Sequence, residues 1–419
     1  MTTIQWLIII GTPVLIGLVI IESVVAKKRN LSLYTLSDSI TNLYCGILER
    51  VFDIFFSVIV LFGFNYIHEN IAPFQIEFSL FSWIIGLVFT DFIAYWFHRL
   101  SHEINFLWAA HNVHHQSEEL NLTTVFRVSF LAVIYRATFF VWMAFAGFDV
   151  FTIVSTGVFL GLYQLFTHSR LIGKLGFIEK FMTTPSHHRV HHASNEKYLD
   201  QNYGHIFIIW DKLFGTFMEE QEEPKYGITS GYKRSNAYNA IFSYWGELFS
   251  LARKTKTLRN KINVFIKGPA YMPSDVTPVT TENSTTKVPY KVMIGNEKKV
   301  YLLLNVSITA GCFVGLLYIR STIGAQTSLE ELIKNKGFAS LIGIVLISLF
   351  THARLIENKK FAFLTDGIRL VAVVFLFSYG FENTLISSWL IPVVISYCFL
   401  MLLWLVKLKF NSNQSVLKT

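Results

Sequence analysis

Long apolar runs separated by short charged segments dominate this chain. A membrane span needs about 20 predominantly apolar residues, and runs of that kind fall at 4–26, 47–67, 78–97, 300–319, 338–352, 366–382 and 388–406. Two more, 129–148 and 150–168, are joined so closely at Gly147-Phe148-Asp149 that a hairpin that does not fully cross is expected. Arg136 inside the first of these points the same way, because a charge at mid-bilayer depth must face protein or water. The run 4–26 is too long for the apolar part of a signal peptide. It ends in Lys27-Lys28-Arg29 without a small-residue cleavage site, so it reads as a retained anchor. The fold class that follows is all-α: a multi-pass helical membrane protein.

The loops set an orientation and a domain plan. Residues 27–44 carry Lys27, Lys28 and Arg29 whereas 68–77 hold no Lys or Arg, which puts the former in the cytoplasm and the latter outside. Counting onward, 97–299 is expected to stay cytoplasmic apart from the dip at 129–168. The loop 320–337, with Arg320, Lys334 and Lys336 on the outer side, fits this count least well. Four regions result: N-terminal anchors at 1–77, a histidine-box catalytic region at 78–218, a cytoplasmic amphipathic and linker segment at 219–299, and C-terminal spans at 300–419. Within the third, Pro, Thr and Ser around 269–286 read as linker. Tyr244 to Phe265 mixes Trp245, Phe249 and Leu251 with Arg253, Lys254, Lys256, Arg259 and Lys261. That pattern suits a basic amphipathic helix on the membrane surface as well as a solvated one. The octapeptide Leu165–Ile172 recurs nearly intact at Leu349–Ile356 with no wider repeat, as a coincidence or a shared helix-exit pattern.

Composition supports the bilayer reading, with 52% hydrophobic and only 15% charged residues, far from the roughly 25% charged of soluble proteins. The net charge of +8 comes without basic arm, finger or RNA-binding motif, so nucleic acid is not an expected partner. Cys45, Cys312 and Cys398 lie in apolar stretches without ligand spacing, which argues against a disulfide framework, a zinc ribbon or an iron-sulfur cluster.

Histidine changes the picture most. Nine of thirteen histidines occupy 98–115 and 187–192, as His98-x3-His102, His111-x2-His114-His115 and His188-x2-His191-His192 with His187 beside the last. Positions i, i+3 and i+4 share a helix face, so each box can aim two or three imidazoles at one point. One ion accepts only about four to six ligands, so eight or nine histidines imply two metals. A polar cluster at the membrane edge without metal is the ordinary alternative, and three complete boxes argue against it. His68 and His352 read as ordinary hydrogen-bonded residues. His168 ends a helix expected to face the site and reads as a ligand, while His205 stands between the two readings. Asp91 lies two turns before His98 in an apolar span where a free carboxylate is costly, so it is expected to act as a partner of the imidazoles. Glu103, directly after His102, is expected to support the site or balance its charge.

With these residues in hand the chain resembles the fatty acid hydroxylase (sterol desaturase) superfamily, whose boxes His-x3-His, His-x2-His-His and His-x2-His-His are met here. Within it the likeness is greatest to the alkylglycerol monooxygenase branch. It is carried by Tyr95–Arg99, His102-Glu103, Leu120–Thr124, Pro185–His192, Asp200–Gly204, Ile209–Phe217 and Lys267-Gly268-Pro269, covers about residues 40–270, and extends to the last third in layout only. The resemblance implies a di-iron, oxygen-dependent oxidoreductase of lipid metabolism. Its metal ligands would be His98, His102, His111, His114, His115, His188, His191 and His192, with His168 matching a further one. Glu103 sits where that branch has an acid. Gln164 stands where relatives acting on fatty acyl chains have another histidine, which favours the ether-lipid branch. The implied reaction hydroxylates a lipid C–H bond and cleaves an O-alkyl lipid, with tetrahydrobiopterin or a reductase as electron donor. The host membrane would be endoplasmic reticulum in a eukaryote or inner membrane in a bacterium. A sterol, fatty acyl or carotenoid hydroxylase or desaturase is the neighbouring alternative. A metal transporter is the remote one, opposed by the boxes sitting at one membrane edge with no polar path through the spans.

Overall fold

The computed structural model describes residues 11–229, 236–276, 294–323, 329–382, 384 and 387–416. Residues 4–10 of the first apolar run and 277–286 of the linker stretch lie outside the described residues. Every regular element among the described residues is helical. The chain divides into two compact units, Leu18–Arg234 with Tyr238–Pro289, and Met1–Gly17 with Ser235–Ala237 and Tyr290–Thr419.

The first unit holds α1 (Thr12–Lys28) from Leu18 onward, then α2 (Leu36–Asn70), α3 (Leu80–Glu103), α4 (Asn105–His115), α5 (Ala132–Phe145) and α6 (Val150–Thr167). At about 1.5 Å per residue, α3 with 24 residues reaches about 36 Å and clears a hydrocarbon core of about 30 Å. Its start is fixed by a reciprocal cap between Ser79 and Ser82. The hairpin is unequal. The 14 residues of α5 reach only about 21 Å, whereas the 18 of α6 are long and apolar enough to cross. Between them Gly147 has φ +89°, and a Cβ there would lie 2.4 Å from the Phe74 carbonyl oxygen, so the turn requires glycine. Arg136 on α5 pairs with the buried Glu49 at 3.2 Å, which gives this charge the protein partner its depth demands.

One span is redrawn. The run 47–67 lies inside the 35-residue helix α2, which carries Glu49, Arg50 and Asp53 and is not among the helices apolar enough to cross by composition.

The chain then forms α7 (Pro185–His191) and α8 (Ile209–Phe214), followed by α9 (Ala237–Lys254) and α10 (Leu258–Ile266). The single amphipathic helix expected at 244–265 is therefore two, because the Thr257 side chain caps a new helix at Asn260 N–H.

The second unit contains α11 (Asn296–Ile323), α12 (Leu329–Lys334), α13 (Lys336–Ile356), α14 (Ala362–Phe381) and α15 (Ser387–Val416). With α3 and α6, the helices α11, α13, α14 and residues Ser387–Asn411 of α15 make six that are long and apolar enough to cross a membrane, the build of a multi-pass membrane protein. Two of them, α11 and α14, are joined by a buried polar knot. Asp366 accepts from Arg369 Nε at 2.6 Å and from Tyr301 Oη at 2.5 Å, while Arg369 Nη2 donates to Asn305 at 2.7 Å. Such groups are tolerated in spans because they satisfy one another. His352 lies beside this knot, 3.9 Å from Asp366. Both copies of the octapeptide end a helix, α6 and α13.

Candidate metal centre

The centre is assembled from the last turns of α3, all of α4, the end of α6 and α7. Helix α3 stops at Ile104, whose extended φ −120° and ψ 119° turn the chain directly into α4. Pro185 opens α7 behind a cap from Thr184. These four segments bring nine imidazoles into two adjoining groups. One holds His98, His102, His111, His115 and His191, the other His114, His168, His188 and His192. Within each group the candidate ligand atoms all lie within 4.8 Å of one another.

Helical phase explains the partition. A His-x2-His-His box contains one pair four residues apart, which shares a face, and one odd member turned away by about 100° per residue. His111 and His115 are such a pair and His114 is the odd one; His188 and His192 pair and His191 is odd. These two boxes therefore serve both groups, aiming two rings at one ion position and one at the other, while His98-x3-His102 gives both rings to the first group.

The second group shows what the arrangement is for. His168 Nε2 lies 3.1 Å from His114 Nε2 and 3.0 Å from His188 Nε2, which in turn is 3.0 Å from His192 Nε2. The Nδ1 atom of His168 faces the Gln164 carbonyl oxygen at 2.6 Å, and that of His114 faces the Arg127 carbonyl oxygen at 3.3 Å. A carbonyl only accepts, so each Nδ1 carries the ring's proton and each Nε2 presents a lone pair. Two lone pairs 3.1 Å apart repel unless a cation lies between them. In the first group His111, His115 and His191 approach at 3.2 Å, and the buried Nε2 atoms of His98 and His102 have no hydrogen-bond partner. With metal–nitrogen bonds of about 2.1 Å, adjacent ligands stand about 3.0 Å apart on a six-coordinate ion and about 3.4 Å apart on a tetrahedral one. The donor set thus fits two ions, with separations of 3.0–3.1 Å in the second group and 3.2 Å in the first.

The loop Asp200–Gly204, which the sequence marks by family likeness but to which it assigns no role, orients the first group. His98 Nδ1 donates to the Tyr203 carbonyl at 2.8 Å, His191 Nδ1 to the Gln201 carbonyl at 2.9 Å, and His102 Nδ1 faces the Asp200 carboxylate at 3.3 Å. Asp200 and Asn202 both adopt left-handed φ, 59° and 57°, which bends the loop over the rings. The Asp211 carboxylate receives the Tyr203 and Gly204 N–H groups at 2.7 and 2.8 Å. His205 is also drawn in, its ring centroid 5.0 Å from that of His98.

The two acids lie elsewhere than among the rings. Asp91 is fully buried, yet its oxygens accept from Ile206 N at 2.8 Å, Phe207 N at 3.1 Å and Trp210 Nε1 at 2.9 Å, not from an imidazole. Glu103 is exposed and forms an ion pair with Arg99 at 2.8 Å. Gln164 ties two histidine segments together, its carbonyl on His168 and its amide donating to the His205 carbonyl at 3.2 Å.

Burial, reinforced by neighbouring imidazoles, pushes His111, His114, His115, His188, His191 and His192 well below the ordinary 6.5. Burial takes His168 and His205 down to about 4. The rings are thus held neutral, the form a metal requires. In the metal-free protein these imidazoles take up protons readily only when unfolded, so the unfolded state binds more protons below pH 6.5. Stability of the metal-free protein should therefore fall as pH drops from about 8 to about 5. A thermal midpoint in detergent that stays constant or rises over that range would contradict the neutral, buried assignment.

Residues 83–216 match the fatty acid hydroxylase family. The chain is 29% identical to alkylglycerol monooxygenase from Homo sapiens over 388 residues, covering 90% of this chain and 84% of that protein. The Xenopus tropicalis alkylglycerol monooxygenase is 30% identical over 359 residues, 83% of this chain and 77% of its own. An ornithine lipid hydroxylase from Rhizobium tropici is 32% identical over 153 residues, covering 36% of this chain and 45% of that one. No solved structure matches the chain.

Proposed function

Because this chain belongs to the fatty acid hydroxylase family, we propose that it is a membrane di-iron oxygenase that hydroxylates an alkylglycerol beside its ether oxygen and so cleaves the O-alkyl bond. The observation that carries the reading is the convergence of two sets of neutral imidazole nitrogens, 3.0–3.2 Å apart, at the ends of α3 and α6. His98, His102, His111, His115 and His191 would hold one ion and His114, His168, His188 and His192 the other. Imidazole nitrogen suits iron, and an oxygen-dependent hydroxylation needs a metal that changes oxidation state, which zinc does not.

A bound iron pair supplies the electron transfer to oxygen that no side chain provides. This chain's own residues do the rest. Backbone carbonyls of Gln201, Tyr203, Arg127 and Gln164 hold the protons on Nδ1 and keep each Nε2 free for metal. Burial of the rings excludes water from the reaction zone. Asp91 positions the segment 206–210, and Glu103 holds Arg99, whose guanidinium reaches the Tyr95 hydroxyl at 3.3 Å.

Molecular oxygen takes up two electrons and two protons. One oxygen atom enters the C–H bond and the other leaves as water. The hydroxylated carbon, bonded to the ether oxygen, is a hemiacetal and collapses to a fatty aldehyde and a glycerol derivative. A reduced pterin is the proposed electron donor. The three vertebrate alkylglycerol monooxygenases align with 83–91% of this chain while relatives named for other lipids align with 36–39%, which supports the ether-lipid substrate. A cytoplasmic centre is supported by the basic segment 27–29, whose Arg29 Nη1 donates to the Leu171 carbonyl at 3.5 Å beside the end of α6, and such a placement lets an amphiphile keep its head in water while its chain reaches the ions.

The test is an assay of the iron-loaded protein with an alkylglycerol, oxygen and reduced tetrahydrobiopterin, reading fatty aldehyde by mass spectrometry. Aldehyde that depends on both oxygen and pterin is expected. Hydroxylated sterol or acyl lipid in its place would move the substrate to the neighbouring branch, and no oxygen-dependent product from any of these lipids would end the reading.

A further inference from the structure

Helices α9 and α10 use two apolar faces, and only one is buried. The inner face packs Leu248 and Val264, with Trp245, Leu251 and Phe265, onto Ala109 of α4. The outer face of α10 carries Leu258, Ile262 and Ile266 at positions i, i+4 and i+8, exposed to 73, 49 and 54%. That spacing makes one stripe along the helix. Around it stand Arg253, Lys254, Lys256, Arg259, Lys261 and Lys267, all exposed, and no acid occurs between 253 and 267. An apolar stripe between rows of cations suits a surface that is oily beneath and anionic at its boundary.

Its location narrows the partner to the bilayer. The backbone N–H of Asn105, two residues past the end of the span α3, donates to the Lys267 carbonyl at 2.9 Å, and its side-chain amide donates to the Val264 and Gly268 carbonyls at 2.9 and 3.2 Å. The end of α10 is thereby fastened where α3 leaves the membrane. Trp245 packs on Phe106 with centroids 5.3 Å apart, and Phe106 on Tyr135 of α5 at 5.1 Å, an aromatic grouping of the kind that collects at the headgroup level. Helix α9 grips α4 at both ends, through the Tyr244 hydroxyl on Asn105 at 2.6 Å and Gln116 on the Ala240 carbonyl at 3.0 Å.

We infer that the outer face of α9 and α10 docks on anionic lipid headgroups of the membrane this chain spans, with Leu258, Ile262 and Ile266 inserted between them. Docking there braces α4, which carries His111, His114 and His115. The spans hold the protein in the bilayer in any case, so the surface governs seating rather than attachment.

The experiment places an environment-sensitive fluorophore on Ile262→Cys in a full-length background lacking Cys45, Cys312 and Cys398, reconstituted in nanodiscs of phosphatidylcholine with or without phosphatidylserine. A second label on Glu222→Cys, in the acidic turn 219–223, serves as reference. Lipids brominated near the glycerol end should quench the first label several-fold more than the second, and phosphatidylserine should increase that quenching. Replacing the six cations by glutamine should remove the increase, with circular dichroism and a monodisperse elution profile verifying the fold. A label at 262 that stays unquenched, whether in water or covered by protein, overturns the inference. Quenching indifferent to phosphatidylserine and to the six substitutions overturns the anionic headgroup as partner. The readout requires neither metal nor turnover, so it fails or succeeds apart from the oxygenase reading.

Discussion

His114→Ala is expected to abolish turnover and to release the ion of the second group while the first group keeps its own. His114 is the one ligand that α4 gives to that group, and the other three come from α6 and α7. Without it His168, His188 and His192 converge from one side only. Losing an outer hydrogen-bond partner of a metal ligand already costs about 10–100-fold in affinity or activity, so loss of the ligand should exceed that range. Iron content by elemental analysis and aldehyde formation measured on one preparation would check it. His68→Ala, whose ring belongs to neither group, should keep both. An alanine variant at 114 with normal iron and normal turnover would refute the two-ion assignment at its centre.

Much of this was legible from sequence because it depends on length and phase. Spans declare themselves by apolar runs, and three boxes at helical spacing declare a metal centre. What the sequence hid has physical reasons. The division of rings between ions turns on which member of each box is a pair and which is odd, visible only once the helices are set side by side. The orienting groups on His98 and His191 are backbone carbonyls, which every residue has, so the stretch Asp200–Gly204 is legible as a family likeness but not as the source of these acceptors. Asp91 misled by phase: seven residues before His98 it shares a face, but two turns amount to about 10.5 Å along the axis, out of reach of the ring. The apolar run 47–67 hides that helix α2 begins at Leu36 and that Glu49 within it is buried against Arg136.

Asp91→Ala tests whether the two ions are held independently. Its carboxylate is the acceptor for Ile206 N–H, Phe207 N–H and the Trp210 indole, all beside the loop whose carbonyls orient His98 and His191. Each buried donor left without a partner costs about 1–3 kcal/mol, enough in sum to let the loop shift. The second group leans on Arg127 and Gln164 instead, neither of them on that loop. Iron should therefore fall from about two ions per chain to about one, with turnover lost because the reaction needs both. Asp91→Asn, which keeps an acceptor oxygen and the volume, should retain much of the first ion. If Asp91→Ala keeps both ions, or loses both together while the helical signal is intact, the loop does not serve the first group alone and the two halves of the centre stand or fall as one.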